Sequence, residues 1–215
     1  KKATRQIVAQ AMHAAVGQFH DRLTKGTLHT ALPALSDFVR IGGGHSMGAM
    51  MTTIQQALFE TYEGIMFLGY TAEGVHMTAG GRKFRAANQI EGITDFPDYT
   101  FADRAPLREG FHWEDVPDDV VAIDDSLAVH TPAEIGPVSI RTHIIREEAA
   151  RIAVPMYYCN GERDVSPDLA AEPAYFPKCK DLLLHELPRS GHCHNFASTR
   201  RQLWDRMDGW AKLFR

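Results

Sequence analysis

Asp37-Phe38-Val39-Arg40-Ile41-Gly42-Gly43-Gly44-His45-Ser46-Met47-Gly48-Ala49 is the stretch on which the reading of this chain turns. It opens on a β-prone run over 37–41, stopped by three glycines. Good helix formers follow over 47–62, with Ala49, Met50, Ile54, Ala57 and Leu58 available for a buried face. Strand, tight turn and helix in that order frame the pentapeptide G-x-S-x-G at 44–48. A serine at such a turn sits on strained backbone among close neighbours, so the residues two before and two after it are expected to lack side chains. The turn would lift the Ser46 hydroxyl out of the sheet and point the Met47 N–H, at the helix start, toward a developing oxyanion. The competing reading is a glycine-rich turn with no chemistry; the strand-to-helix context favours a nucleophile.

Working outward, 64–69 is an apolar run bounded by glycines, as expected of a parallel strand covered on both sides. Ahead of the pentapeptide, 3–22 places Ile7, Val8, Ala11, Met12, Ala15, Val16 and Phe19 at helical spacing. Beyond residue 70 the pattern loosens through Gly80-Gly81, several prolines and the acidic stretch 114–119. Regularity returns with a short helix over 146–152 and a strand over 154–159 closed by Asn160-Gly161. A helical piece over 169–176, a strand over 182–187 and a helix over 198–214 follow, the last with a stripe of Leu203, Trp204, Met207, Trp210 and Phe214. Strands alternating with helices predict an α/β fold with a mostly parallel sheet and flanking helices. The core is assigned to 1–70 and 151–215, and 71–150 to an inserted lid or cap.

A serine nucleophile needs a base, and the base an orienting acid. Asn160-Gly161-Glu162-Arg163-Asp164 follows one expected strand and Ser190-Gly191-His192 the next, giving the order serine, acid, histidine. In open parallel sheets the loops beyond the carboxyl ends of the strands converge on one crevice. Glu162 and Asp168 compete with Asp164 for the acid, and His194 competes with His192 for the base. Gly191 lets the backbone at His192 approach the serine, which leaves His194 as a hydrogen-bonding neighbour or pocket wall. His45 is more readily a structural residue of the turn, though it stays with His194 and Trp113 in the candidate substrate-binding set. Met77, Tyr99, Phe101 and Phe111 join Trp113 as aromatic or apolar residues that either line a pocket or pack the lid.

The GHSMG turn, the apolar strand about twenty residues on, V-P-M-Y-Y-C-N-G-E-R-D, S-G-H and the final helix together resemble the α/β-hydrolase family over about 38–70 and 152–214. The resemblance implies Ser46 as nucleophile, Asp164 as acid, His192 as base and the Met47 amide as half of an oxyanion hole. It implies hydrolysis of a carboxylic ester or thioester through an acyl-enzyme; GHSMGA also resembles the elbow of type II thioesterases. Carbon–carbon bond hydrolysis and cofactor-free perhydrolysis share the scaffold. Epoxide hydrolase and haloalkane dehalogenase chemistry would need a carboxylate at position 46. A non-catalytic binding protein of the same fold is the alternative from another class. Family members place several strands and a second oxyanion donor, often marked by an H-G pair, ahead of the elbow, whereas the 45 residues before Ser46 hold one long helix, a short segment and one strand. The first strands are therefore expected to be missing from this sequence, as a fragment, a cleaved or disordered part, or another polypeptide.

Composition narrows the field further. At 215 residues, 44% hydrophobic and 23% charged, the chain can bury a core without disulfide staples. Three cysteines, 159, 179 and 193, are odd in number and irregular in spacing, which favours a reducing compartment and a cytoplasmic location. No stretch is long and apolar enough to span a bilayer. Twenty-three basic against 27 acidic residues, a net charge of -4 and no basic cluster disfavour nucleic acid as a partner. His192-Cys193-His194 lacks companion ligands at metal spacing, so neither a metal nor a cofactor is expected. The expected partner is a small ester or thioester.

Overall fold

A computed structural model describes residues 3–214. Four strands, β1 (Ile41–His45), β2 (Gly64–Leu68), β7 (Met156–Gly161) and β8 (Leu182–Leu187), form one sheet in the order β1-β2-β7-β8, every pair parallel. Helix α1 (Arg5–Thr24) precedes β1, α2 (Met47–Phe59) crosses from β1 to β2, and α6 (Arg200–Ala211) follows β8. Among the described residues no strand precedes β1, which stands at an edge of the sheet.

The strands alternate their side chains between two cores, as a pleated backbone requires. Ile65 and Phe67 of β2 and Met156 and Tyr158 of β7 face α2, meeting Ala49, Met50, Ile54 and Ala57. Met66, Tyr157, Cys159 and Leu187 face the other way, against Leu203 and Trp210 of α6. All six residues of β7 are buried, the mark of a central parallel strand with both faces covered. Trp204, expected in the α6 stripe, is 46% exposed and donates its ring N–H to the Asn195 side chain instead. Helix α1 lies on α2. Only its Ala9 is fully buried, while Ile7 and Phe19 remain exposed.

The strand expected at 37–41 begins where that expectation ended, and runs through the glycines. Ile41–His45 pairs residue for residue with Gly64–Leu68. The glycines are demanded by contacts: a Cβ on Gly44 would lie 2.2 Å from the Gly48 carbonyl carbon and oxygen, inside any van der Waals limit. At Gly48 a Cβ would meet nothing within 4 Å, so the expected constraint on both sides of Ser46 holds on one side only.

Between β2 and β7 the chain makes an excursion built from short pieces. It contains the hairpin β3 (His76–Ala79) with β4 (Arg82–Arg85), and the two-residue pair β5 (Tyr99–Thr100) with β6 (Thr131–Pro132). Short helices α3 (Arg108–Phe111), α4 (Asp118–Ser126) and α5 (Arg146–Ala149) complete it, α5 returning to pack on α2. Among the described residues no helix is long and apolar enough to cross a membrane, and the three cysteines are unpaired.

Candidate active site

Parallel strands bring their carboxyl ends to one edge of the sheet, and the loops after β1, β7 and β8 there carry the chemistry-bearing side chains. Ser46 directly follows β1 and caps the N-terminus of α2 at φ 57°, ψ -124°, a backbone conformation that a residue with a side chain adopts only under strain. Its N–H donates to the Leu68 carbonyl at 2.8 Å, which ties the turn to the end of β2. Strain held by the surrounding sheet and helix is what projects the hydroxyl. The Met47 N–H belongs to the first turn of α2, where amides lack intrahelical acceptors and the helix end is electropositive.

Asp164 lies in the loop after β7. Gly161, the last residue of that strand, packs so tightly on the histidine loop that a Cβ would stand 2.5 Å from the Ser190 carbonyl oxygen. This close approach sets Asp164 beside His192. His192 Nδ1 donates to Asp164 Oδ1 at 2.7 Å, and His192 Nε2 lies 2.9 Å from Ser46 Oγ. The Val165 N–H donates to the same Oδ1 at 2.7 Å, while the Gly161 N–H and His194 Nε2 reach Oδ2 at 3.0 and 2.6 Å. Asp164, His192 and His194 are all buried. Burial alone would raise the Asp164 carboxyl; the charge and hydrogen bond of His192, then of His194, outweigh it and hold the group well below the usual carboxylate range.

The remaining candidates are placed as follows. His194 turns its Nε2 to Asp164, away from any open wall. The His45 ring donates from Nε2 to the His192 carbonyl at 2.7 Å and lies 4.7 Å from the His192 ring. Trp113 stacks beneath the Arg163 guanidinium, 4.5 Å from its ring centroid. Glu162 accepts the Arg189 N–H on the far side of its loop, and Asp168 accepts the Ala170 N–H within its own turn.

Of the aromatics expected in the lid, Phe111 reaches His192, and its backbone joins in without any signal in the sequence. The Phe111 ring meets the His192 ring edge-on at 5.1 Å, and the Gly110 and Phe111 carbonyls accept the His192 and Cys193 N–H groups, both at 2.8 Å. Backbone carbonyls are invisible to motif reading. Arg163 donates to the His112 carbonyl at 3.1 Å and pairs with Glu114, so the segment 110–114 is clasped by the acid loop as well. Glu172 is a buried carboxylate that accepts from Thr71 and Ser166 hydroxyls and the Ala72 N–H; burial pushes its carboxyl up. It braces the loop carrying Asp164 against the end of β2.

One group of metal-ligand type occurs among the described residues: His112, Asp124 and Cys193, whose ligand atoms lie within 4.8 Å of one another. Arg104 already stands 3.2 Å from the Asp124 carboxylate and supplies the positive charge there.

Sheet order, strained turn and loop placement together define an α/β-hydrolase fold. No protein-family model and no curated protein matches the sequence. Solved structures do: a monoacylglycerol lipase from Paleococcus ferrophilus superposes with a TM-score of 0.65, covering 98% of this chain and 76% of its own, at 14% identity. One of the metagenome-derived lipolytic enzymes LipS and LipT gives 0.59 over 98% of this chain and 74% of its own at 16% identity. An E-2-(acetamidomethylene)succinate hydrolase gives 0.58 over 97% and 74% at 14%. At these identities the likeness is one of fold, and this chain spans about three quarters of each.

Proposed function

We propose that the protein is a serine hydrolase that cleaves a small carboxylic ester or thioester through an acyl-enzyme. The observation that carries this reading is the unbroken relay Ser46 Oγ, His192 Nε2, His192 Nδ1, Asp164 Oδ1 at 2.9 and 2.7 Å, with the serine on strained backbone at a helix start. Hydrolytic relatives by fold, among them lipolytic enzymes, support it.

In the first half-reaction Ser46 Oγ attacks the carbonyl carbon while His192 Nε2 takes the hydroxyl proton, and Asp164 stabilises the imidazolium across Nδ1–H. Negative charge develops on the carbonyl oxygen, where the Met47 N–H is one donor. Collapse expels the alcohol or thiol, which receives the proton from His192. Water then repeats the sequence on the acyl-serine, and the acid is released. The excursion between β2 and β7 acts as the lid, with Phe111 beside His192 as one wall of the acyl or alcohol subsite.

A fluorophosphonate probe tests the reading. Labelling of Ser46, abolished in Ser46→Ala and reduced by about a thousandfold or more in His192→Ala, is expected from the loss of a triad member. Equal labelling of the wild type and His192→Ala, or none of the wild type, would leave a binding protein of hydrolase fold. p-Nitrophenyl esters of increasing chain length, set against acyl-coenzyme A substrates, then separate ester from thioester cleavage.

A further inference from the structure

Asp164 serves two histidines, one on each carboxylate oxygen. His192 Nδ1 bonds Oδ1 at 2.7 Å and His194 Nε2 bonds Oδ2 at 2.6 Å, so the second contact is at least as close as the one in the relay. The other two acceptor positions are filled by the Val165 and Gly161 N–H groups, which leaves the buried carboxylate satisfied by four donors. Since an ionised carboxylate only accepts, His194 carries its proton on Nε2. Among the described residues its Nδ1 is buried with no hydrogen-bond partner.

That orphaned nitrogen bears on why a histidine stands here. A buried polar atom without a partner destabilises the fold, and an apolar ring of similar size would avoid the penalty. The position is 2% exposed, with the His45 ring edge-on at 5.0 Å, so a phenylalanine would meet its packing demand. What only the histidine provides is the Nε2–H on Asp164 Oδ2.

We infer that His194 is a positioning residue of the relay, a second histidine that pins the Asp164 carboxylate in its plane so that Oδ1 faces His192. The carboxylate could otherwise rotate about its Cβ–Cγ bond, leaving the imidazole of His192 free to leave the serine. Of the four donors, the Gly161 and Val165 amides belong to the acid's own segment, the end of β7 and the loop after it. His194 ties the acid to the loop of its own base, two residues beyond it, so acid and base keep register with each other. The inference rests on the serine hydrolase reading for its catalytic meaning, and on geometry alone for its proton.

The tests separate those two parts. In protein labelled with 15N-histidine, nuclear magnetic resonance should show His194 as the Nε2–H tautomer with a strongly hydrogen-bonded, slowly exchanging ring proton. An Nδ1–H tautomer, or a ring proton exchanging as in free histidine, overturns the inference whether or not the protein is an enzyme. His194→Phe should lower the fluorophosphonate labelling rate and the kcat for a p-nitrophenyl ester by about ten- to a hundredfold, the worth of a hydrogen bond to a charged group, with KM nearly unchanged. His194→Gln, whose amide N–H can replace Nε2–H, should restore most of that loss. The thermal midpoint of His194→Phe should stay near or below that of the wild type, since loss of the orphaned nitrogen is offset by loss of a hydrogen bond to a buried carboxylate, which the glutamine restores. Wild-type rates in His194→Phe, or a loss in rate that the glutamine does not rescue, overturn the positioning role. Absence of labelling in the wild type itself would instead remove the hydrolase reading and leave the tautomer to decide the inference.

Discussion

Ser46 is held where a helix start, a strand end and a glycine meet, and the three are not interchangeable. The contact that leaves no room is at Gly44, where a Cβ would stand 2.2 Å from the Gly48 backbone; the space at Gly48 is open. Gly44→Ala is therefore expected to destabilise the protein by about 1–3 kcal/mol or more through overpacking and to displace the serine, removing fluorophosphonate labelling. Gly48→Ala, in the first turn of α2, should leave stability within about 1 kcal/mol, with any change toward greater helix stability. Urea midpoints of the two variants check this, and equal losses would refute the one-sided constraint. The motif pointed to both glycines because it records residue types, whereas the contact depends on which way each Cβ would point. The same limit explains why Ser46, His192 and Asp164 could be picked out beforehand while the Gly110 and Phe111 carbonyls could not. Side-chain chemistry is written in a sequence, and backbone acceptors are alike at every position.

At the scale of elements, β2 agrees closely with the hydrophobic pattern, because an apolar run bounded by breakers is what a covered parallel strand requires, and β8 keeps the expected bounds although it is an edge strand with Leu183 exposed. For β1 the pattern misleads: the β-prone run 37–41 is mostly outside the sheet, and glycines that read as a stop form the strand. Pairing with β2 and the approach of Tyr62 to Gly42 outweigh intrinsic preference there. β8 also carries a pH-sensitive group. His185 is buried beside the Tyr157 hydroxyl, and burial, followed by the Arg206 charge, brings its ring down to about 4. Between that value and an unfolded value of about 6.5, the unfolded chain binds a proton that the native state refuses. Stability from this group is thus complete above about pH 6.5 and declines as the pH falls toward 4, by up to about 1.4 kcal/mol per pH unit. Asp164 works in the same direction lower down: its depressed carboxyl contributes fully above about pH 4 and fades only below it. Urea midpoints at pH 7.5 and 5 should therefore fall in the wild type and fall less in His185→Gln; parallel declines would point to another group. On α6, Trp210 is 3% exposed and Trp204 46% exposed, so Trp210→Ala should cost about 3–5 kcal/mol and Trp204→Ala under about 1. Chemical denaturation distinguishes them.

Across the whole molecule, the excursion between β2 and β7 is fastened to the sheet at the two loops that carry Asp164 and His192. Arg163 stands beside Asp164 and holds the His112 carbonyl, the Trp113 ring and Glu114. Arg163→Ala should loosen 110–116 first. Faster proteolytic nicking and faster amide exchange are expected there, with protection in β7 unchanged, and uniform loosening of the sheet would contradict the clasp. The glycines, prolines and acidic stretch beyond residue 70 mark in the sequence where the regular alternation of strands and helices breaks off. The fastening is not legible there, because it joins residues whose neighbours in sequence show no pattern.

Ser46 and His192 meet across 146 positions of chain, while Asp164 and His192 are only 28 apart. Contacts between distant positions must first close a large loop, so they form late relative to local helices and turns. During refolding from urea, helical signal from α1 and α2 should return before the serine can react with a fluorophosphonate. The relay is then a built-in clock: the moment at which it can be labelled marks the closure of the sheet around β7.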